Sequence, residues 1–433
     1  MNKKNKPFFV ISCPFDTYSG YGARSRDVVK SIIESDKYEV QLLAQRWGDT
    51  PWNFCKDHSE WEFLYDYEHN PRTSSRRQPD IWMQITIPNE FTPIGKYNIG
   101  CTAGIEATSC RGEWVEGINR MNETWVSSKF AKNVFDNVKF EKRDQKTNNV
   151  IGELKVEKPV HVIFEGIDTN LYKKISKPKT KSINLSSIKE QFCYLFVGHW
   201  MNGAHGHDRK NVGVLVKEFI ETFKNRKGMP ALILKCSKGS NSYTGKDAIL
   251  KQINSYTRAY KNEKIPNIYL LHGEFTDVEM NDLYNHSKIK AMVSFTKGEG
   301  YGRPLLEFSL SGKPVIASGW SGHMDFLHPE FNTFIQGQLE NVHPSAANEW
   351  LLKEARWFQV NTAYAREALR SVYNNFKLKL SNAKRQAYFA KNNFSREQMS
   401  ELIDNHLSEV LPEFSVTQEL KIPELKIPKL KKV

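Results

Sequence analysis

Apolar positions along this chain gather in short runs separated by polar loops. Residues 8–15, 38–45, 81–87, 97–102, 192–197, 229–237 and 291–295 have the composition and length of buried strands. Stretches of helical period follow several of them, as in SGYGARSRDVVKSII (19–33) and NVGVLVKEFIETF (211–223). Strand-like and helix-like segments in alternation predict an α/β fold made of Rossmann-like domains. Two departures break the alternation. Residues 139–158 are charged and read as a surface insertion, and 173–187, KKISKPKTKSINLSS, have no apolar period. The pattern divides the chain into a first α/β domain over 1–172, a linker over 173–190 and a second α/β domain over 191–395. Beyond residue 340 it predicts long amphipathic helices from 346 to 411, with a last helix at 396–412 and a basic tail at 413–433.

The most coherent stretch is IKAMVSFTKGEGYGRPLLEFSLSGKPVIASGWSGHMDF (289–326). Its pattern predicts a strand, a loop opened by Gly298, Gly300 and Gly302, a helix starting at Pro304 and ending at Gly312, and a second strand. A glycine loop at a helix start is suited to an anion, because backbone amides and the positive helix end point at one place. Glu299 lies among the glycines and Glu307 about one turn into the helix. Carboxylates repel phosphate but accept hydrogen bonds from the hydroxyls of a sugar or ribose. Taken alone, such a pair is more simply read as a solvated Glu299 and a Glu307 that complements the helix dipole; the surrounding pattern reverses that balance.

KGEGYGRPLLEFSLSGKPVIAS (297–318) resembles the E-x7-E signature of the retaining GT-B glycosyltransferases of family four. The preceding NIYLLHGEFTDVEMNDLYNHSKIKAMVSF (267–295) resembles the strand, turn, short helix and strand of the same family. The resemblance implies the GT-B fold, in which two Rossmann-like domains face each other across a cleft and the C-terminal helices cross back. It implies metal-independent transfer of a sugar from a nucleotide-sugar donor with retention at the anomeric carbon. It places Glu307 on the donor ribose and Glu299 on the transferred sugar, with Gly300, Tyr301 and Gly302 around the donor. A basic pair at the first helix of the second domain grips the diphosphate in that family, and Arg209 and Lys210 occupy that neighbourhood. The loop is longer here, and His199 stands where arginine is frequent. Gly20 and Gly22 of the first domain correspond to a loop facing donor and acceptor, and Glu106 to an acid on the acceptor side. No separate cofactor is implied, since the nucleotide-sugar is a co-substrate.

His199, His205, His207 and Asp208 are metal-ligand types, but a glycine-rich loop does not promise the closing geometry of a tetrahedral site, and no metal is expected. Asp66-Tyr67-Glu68 is the nearest approach to a metal-dependent D-x-D element. Glycoside hydrolysis also uses two carboxylates but needs neither anion site nor basic pair. A sugar-nucleotide epimerase of GT-B fold and a nucleic-acid-binding protein of that fold are the alternatives.

Charge adds a partner class. Lys and Arg outnumber Asp and Glu by 62 to 49, a net charge of +13. That balance, the Arg72, Arg76 and Arg77 segment and the tail ELKIPELKIPKLKKV point to a polyanionic acceptor or carrier. DNA with a hydroxylated base, as used by phage-type glycosyltransferases, and a glycan on an acidic surface both qualify. The six cysteines contain no C-x-x-C pair, which predicts a reducing, cytoplasmic setting, peripheral to membrane or nucleic acid. The apolar run near the N-terminus is broken by Pro14 and fits a strand better than a leader, and no stretch reaches a membrane span.

Overall fold

Strands that are apolar on both faces need helices on both sides, and the chain supplies them in turn. A computed structural model describes residues 6–72, 77–144, 146–201, 203–239 and 241–414. Arg76 and residues 415–433 of the tail lie outside the described residues.

The first half is built from β1 (Phe8–Cys13), α1 (Gly20–Glu34), β2 (Glu39–Ala44), α2 (Phe54–Asp57), β3 (Ile81–Ile85), β4 (Tyr97–Thr102), α3 (Gly112–Arg120), β5 (Glu123–Val126), α4 (Lys129–Asn137), the hairpin β6 (Lys139–Arg143) and β7 (Val150–Lys155), and β8 (Val160–Val162). Six of these strands form a parallel sheet in the order β2-β1-β3-β4-β5-β8. The antiparallel β6–β7 hairpin stands outside it, mostly exposed, where the charged insertion falls.

The second half runs β9 (Cys193–His199), α5 (Val212–Phe223), β10 (Ala231–Ser237), α6 (Tyr243–Thr257), β11 (Ile268–Leu271), α7 (Asp277–Asn285), β12 (Ile289–Ser294), α8 (Arg303–Ser309), β13 (Val315–Ser318) and β14 (Thr333–Ile335). Its sheet is parallel with the order β11-β10-β9-β12-β13-β14. Strand order reverses between β9 and β12, the place where open α/β sheets bind ligands beyond the carboxyl ends of their strands. In the first sheet the reversal falls between β1 and β3. Each sheet separates two apolar clusters, one on each face.

Residues 346–360 are not helical as their pattern predicted. β15 (Gly337–Asn341) and β16 (Arg356–Val360) pair antiparallel, because Trp357, Phe358 and Val360 fit a buried pleat and the Phe358 amide donates to the Lys297 carbonyl at 2.9 Å. Helices follow as α9 (Thr362–Asn374), α10 (Phe376–Asn393) and α11 (Arg396–Val410). α11 returns to the first half, where Met399, Ile403 and Leu407 are buried in the core beneath α1. The stretch after Tyr172 has no regular structure yet is tied down: Leu185 and Ile188 are buried, and the amides of Lys179 and Thr180 donate to Asp282. No helix among the described residues is long and apolar enough to cross a membrane.

Candidate active site

β12 ends at Ser294 and α8 starts at Arg303, with Gly302 as its N-cap at φ +98° and Pro304 as its second residue. The loop between them is pressed against the first half. A Cβ on Gly298 would lie 2.0 Å from the Glu106 carbonyl oxygen, and one on Gly300 would lie 2.6 Å from that of Ala103. These glycines therefore serve the approach of two protein backbones, where the sequence suggested the approach of a ligand. The Ser128 hydroxyl donates to the Gly300 carbonyl at 2.6 Å, and the Glu299 amide is taken by the Ser321 hydroxyl at 2.9 Å. Tyr301 turns its ring into the core against Phe326, buried, so its side chain stands away from the cleft.

What the closure creates is a charge cluster drawn from three segments. Arg209 and Lys210 precede Asn211, the left-handed N-cap of α5 at φ 55°. Lys210 Nζ lies 2.5 Å from Glu299 Oε1. Arg209 reaches Glu299 at 3.4 Å, Glu106 at 3.3 Å and the Gly298 carbonyl at 2.9 Å. Glu106, Arg209, Lys210 and Glu299, each singled out from sequence, thus meet. Burial pushes the Glu299 carboxyl up, but Lys210 and then Arg209 override it and bring it to about 2. Glu299 is therefore a carboxylate at neutral pH, suited to accept hydrogen bonds and unsuited to donate a proton.

A cleft of about 510 Å³ opens beside this cluster. Tyr18, Gly20, Arg26, Phe54 and His58 line it from the first half, and Gly198, His199, Lys235, Ser237, Asn241, Thr276, Asp277 and Pro304 from the second. The Lys210 stem lies 3.9 Å from where a Gly198 Cβ would be, so the cluster adjoins this lining. Burial, then Lys210, Arg209 and Lys235, pull His199 down to about 4, while Asp57, Glu274, Asp277 and Glu279 line the same cleft. Gly20 stands at the cleft, in the first turn of α1 and not in a loop. Gly22 does not line it, because a Cβ there would lie 2.4 Å from the Thr17 carbonyl oxygen and its role is packing.

No protein-family model matches the chain, and no curated protein does. Solved structures match over nearly its whole length. Sucrose-phosphate synthase from Thermosynechococcus elongatus aligns with a TM-score of 0.61 at 10% identity, covering 94% of this chain and 99% of that one. A glycosyltransferase from Rickettsia africae aligns at 0.59 and 12%, covering 94% and 99%. Anabaena HepE in complex with UDP-glucose aligns at 0.59 and 14%, covering 93% and 100%. The chain has the GT-B fold.

Within this GT-B cleft Glu307 stands behind the lining, where the sequence placed it at the rim. Its carboxyl accepts from the Tyr284 hydroxyl at 3.0 Å and from Arg303 Nε at 3.0 Å. Arg303 also reaches across to Asp27 of α1 at 2.6 Å, so one cation serves two buried acids and Asp27 is the nearer. Burial pushes Glu307 up to about 7 against the opposing pull of Arg303. Below about 7 the folded protein holds a proton that the unfolded chain releases near 4.5. Stability from this group is therefore complete below 4.5 and declines as pH rises towards 7, by on the order of 3 kcal/mol in all. Glu307→Gln is expected to flatten that part of the profile, read as the urea midpoint at pH 5 and pH 8. An unchanged slope would contradict the assignment.

Sequence reasoning missed Arg303, Asp27, Tyr284, Arg26 and His323. Arg303 lies inside the quoted motif, and its place four residues before Glu307 on a helix was the available signal. Arg26 is buried and packs 3.4 Å over the Phe54 ring, a contact between separate segments that no local pattern announces. His323 is buried beside Glu299, with Nε2 donating to the Ser318 carbonyl at 2.7 Å. The histidines near Arg209 do not converge: His199 bonds Ser237, His205 bonds Tyr256 and His207 stacks on His343. Arg77 is engaged by Glu39 and Asp80, while Arg72 is exposed.

Proposed function

We propose that this protein is a glycosyltransferase that moves a sugar from a nucleotide-sugar donor to an acceptor with retention of configuration. The observation that carries the reading is the convergence of Arg209, Lys210 and Glu299 beside the cleft of a GT-B fold. Solved structures of similar fold include a glycosyltransferase and a protein in complex with UDP-glucose. In this reading the donor diphosphate lies towards Arg209 and Lys210, whose charges stabilise it as the bond to the sugar breaks. No metal ion is required for that role. Glu299 accepts hydrogen bonds from the transferred sugar. Glu307 meets the donor ribose once its side chain turns from Tyr284 to the cleft. Glu106 lies on the acceptor side, and the acceptor attacks on the face the diphosphate leaves, its proton passing to a phosphate oxygen.

Calorimetric titration with UDP, GDP and ADP tests donor binding. At least one is expected to bind with Kd below about 1 mM, which corresponds to about −4.1 kcal/mol. Failure of all three would remove the reading. The net charge of +13 supports a polyanionic acceptor or carrier, with modified DNA and surface glycans the two sources to offer in parallel. An acceptor KM that rises steeply with salt supports that part, and transfer to a neutral sugar without salt dependence would overturn it.

A further inference from the structure

We propose that Glu123, His161 and His406 form a binding site for a divalent transition-metal ion, zinc by its chemistry, that pins α11 to the first sheet. The site lies at the amino end of β5, on the edge of the sheet away from the carboxyl ends that face the cleft, and it does not depend on the function proposed above. Glu123 opens β5, His161 is the middle residue of β8, and His406 comes from α11, 283 residues beyond Glu123.

The three side chains bring one ligand-type atom each into a single cluster, the two imidazole rings 4.4 Å apart. His406 Nε2 lies 3.0 and 3.1 Å from the two Glu123 oxygens, and His161 Nε2 lies 3.5 Å from one of them. All three ligand atoms fall within 4.8 Å of one another. Ligands at the usual Zn–N and Zn–O lengths around a tetrahedral ion are about 3.3 Å apart, which the two glutamate–histidine spacings match, and the two histidine nitrogens, within 4.8 Å, have at most a short distance to close. Imidazole with carboxylate suits zinc, cobalt or nickel better than magnesium or calcium, which prefer all-oxygen shells.

The surroundings resemble the outer shell of a metal site. Trp125 Nε1 donates to a Glu123 oxygen at 2.8 Å, and the Tyr97 hydroxyl bonds the same carboxyl. The Trp125 ring stands edge-on to His406 at 5.8 Å, fixing the imidazole plane. Such contacts orient ligands and hold the site open for the ion. The Glu123 side chain is 2% exposed, and among the described residues its ion-pair partners are the two histidines, with no lysine or arginine. A buried carboxylate is costly without a cation, and a bound ion removes that cost. The His161 side chain is 37% exposed, which provides an entry path and a fourth position for water.

The test uses the full chain, stripped with a chelator and titrated with Zn2+ by calorimetry and with Co2+ by absorption. One equivalent is expected to bind, with the visible bands of four-coordinate cobalt. Saturating zinc is expected to raise the thermal midpoint by about 5 °C, and magnesium to leave it unchanged. His161→Ala, at the exposed ligand, keeps the fold and is expected to weaken zinc at least about 100-fold. His343→Ala, which removes the stacked His207 partner, is the control and is expected to leave binding intact. The cysteines are all buried and do not compete. Absence of zinc binding, binding that survives His161→Ala, or binding lost in His343→Ala would each overturn the proposal.

Discussion

Lys210→Ala is expected to lower turnover about 10²–10³-fold, the usual effect of removing one preorganised donor from charge that develops in a transition state. The ammonium lies 2.5 Å from Glu299 with its side chain only 14% exposed. Loss of the lysine also leaves Glu299 with Arg209 alone at 3.4 Å, so nucleotide affinity should fall together with turnover. Glu299→Gln separates the roles. The amide keeps the shape but not the charge that contacts the sugar, so kcat is expected to fall while nucleoside diphosphate affinity stays within about tenfold. Wild-type kinetics in both variants would show that this loop is not the active site.

Arg303→Met is expected to destabilise the protein by about 3–5 kcal/mol, the cost of breaking a buried ion pair from one side. Arg303 joins α8 of the second half to Asp27 on α1 of the first, at 2.6 Å, and also holds Glu307 at 3.0 Å. Without it Asp27 is a buried carboxylate that has lost its direct ion-pair partner. Addition of Asp27→Asn should recover part of the loss, because the amide can be buried at lower cost. Urea midpoints of the two variants measure this. A loss below about 1 kcal/mol in Arg303→Met would mean that solvent reaches the pair and that it does not join the halves.

The fold was legible because buried parallel strands announce themselves as apolar runs. Residues 97–102 coincide with β4, and the motif around Glu299 and Glu307 carried the GT-B resemblance. β16 was missed because RWFQV runs directly into the helical stretch of α9 and its partner β15 is polar and mostly exposed, so the pair has no alternating pattern on both strands. Part of the charge cluster could be singled out through the resemblance, which pointed to the basic pair before α5 and to Glu299, and the structure brings these together. The rest of the site was illegible where the partner comes from another segment. Gly298 and Gly300 look like a ligand loop in sequence, and only the packing of residues 103–106 on them shows that backbone occupies that space. Asp27 on α1 gives no hint of Arg303, nor Glu123 of His406, because hundreds of residues separate partners that the crossover of the chain brings together.

The most direct test is transfer itself. Radiolabelled nucleotide-sugars of uridine, guanosine and adenosine are incubated with the protein and with hydroxylated-base DNA or glycan acceptors, and both labelled product and free nucleoside diphosphate are measured. The account predicts that one donor releases nucleoside diphosphate in step with labelled acceptor, that the product keeps the donor's anomeric configuration, and that Lys210→Ala lowers the rate of both about 10²–10³-fold. No release from any donor above the rate of Lys210→Ala, or an epimerised sugar with no labelled acceptor, would contradict it.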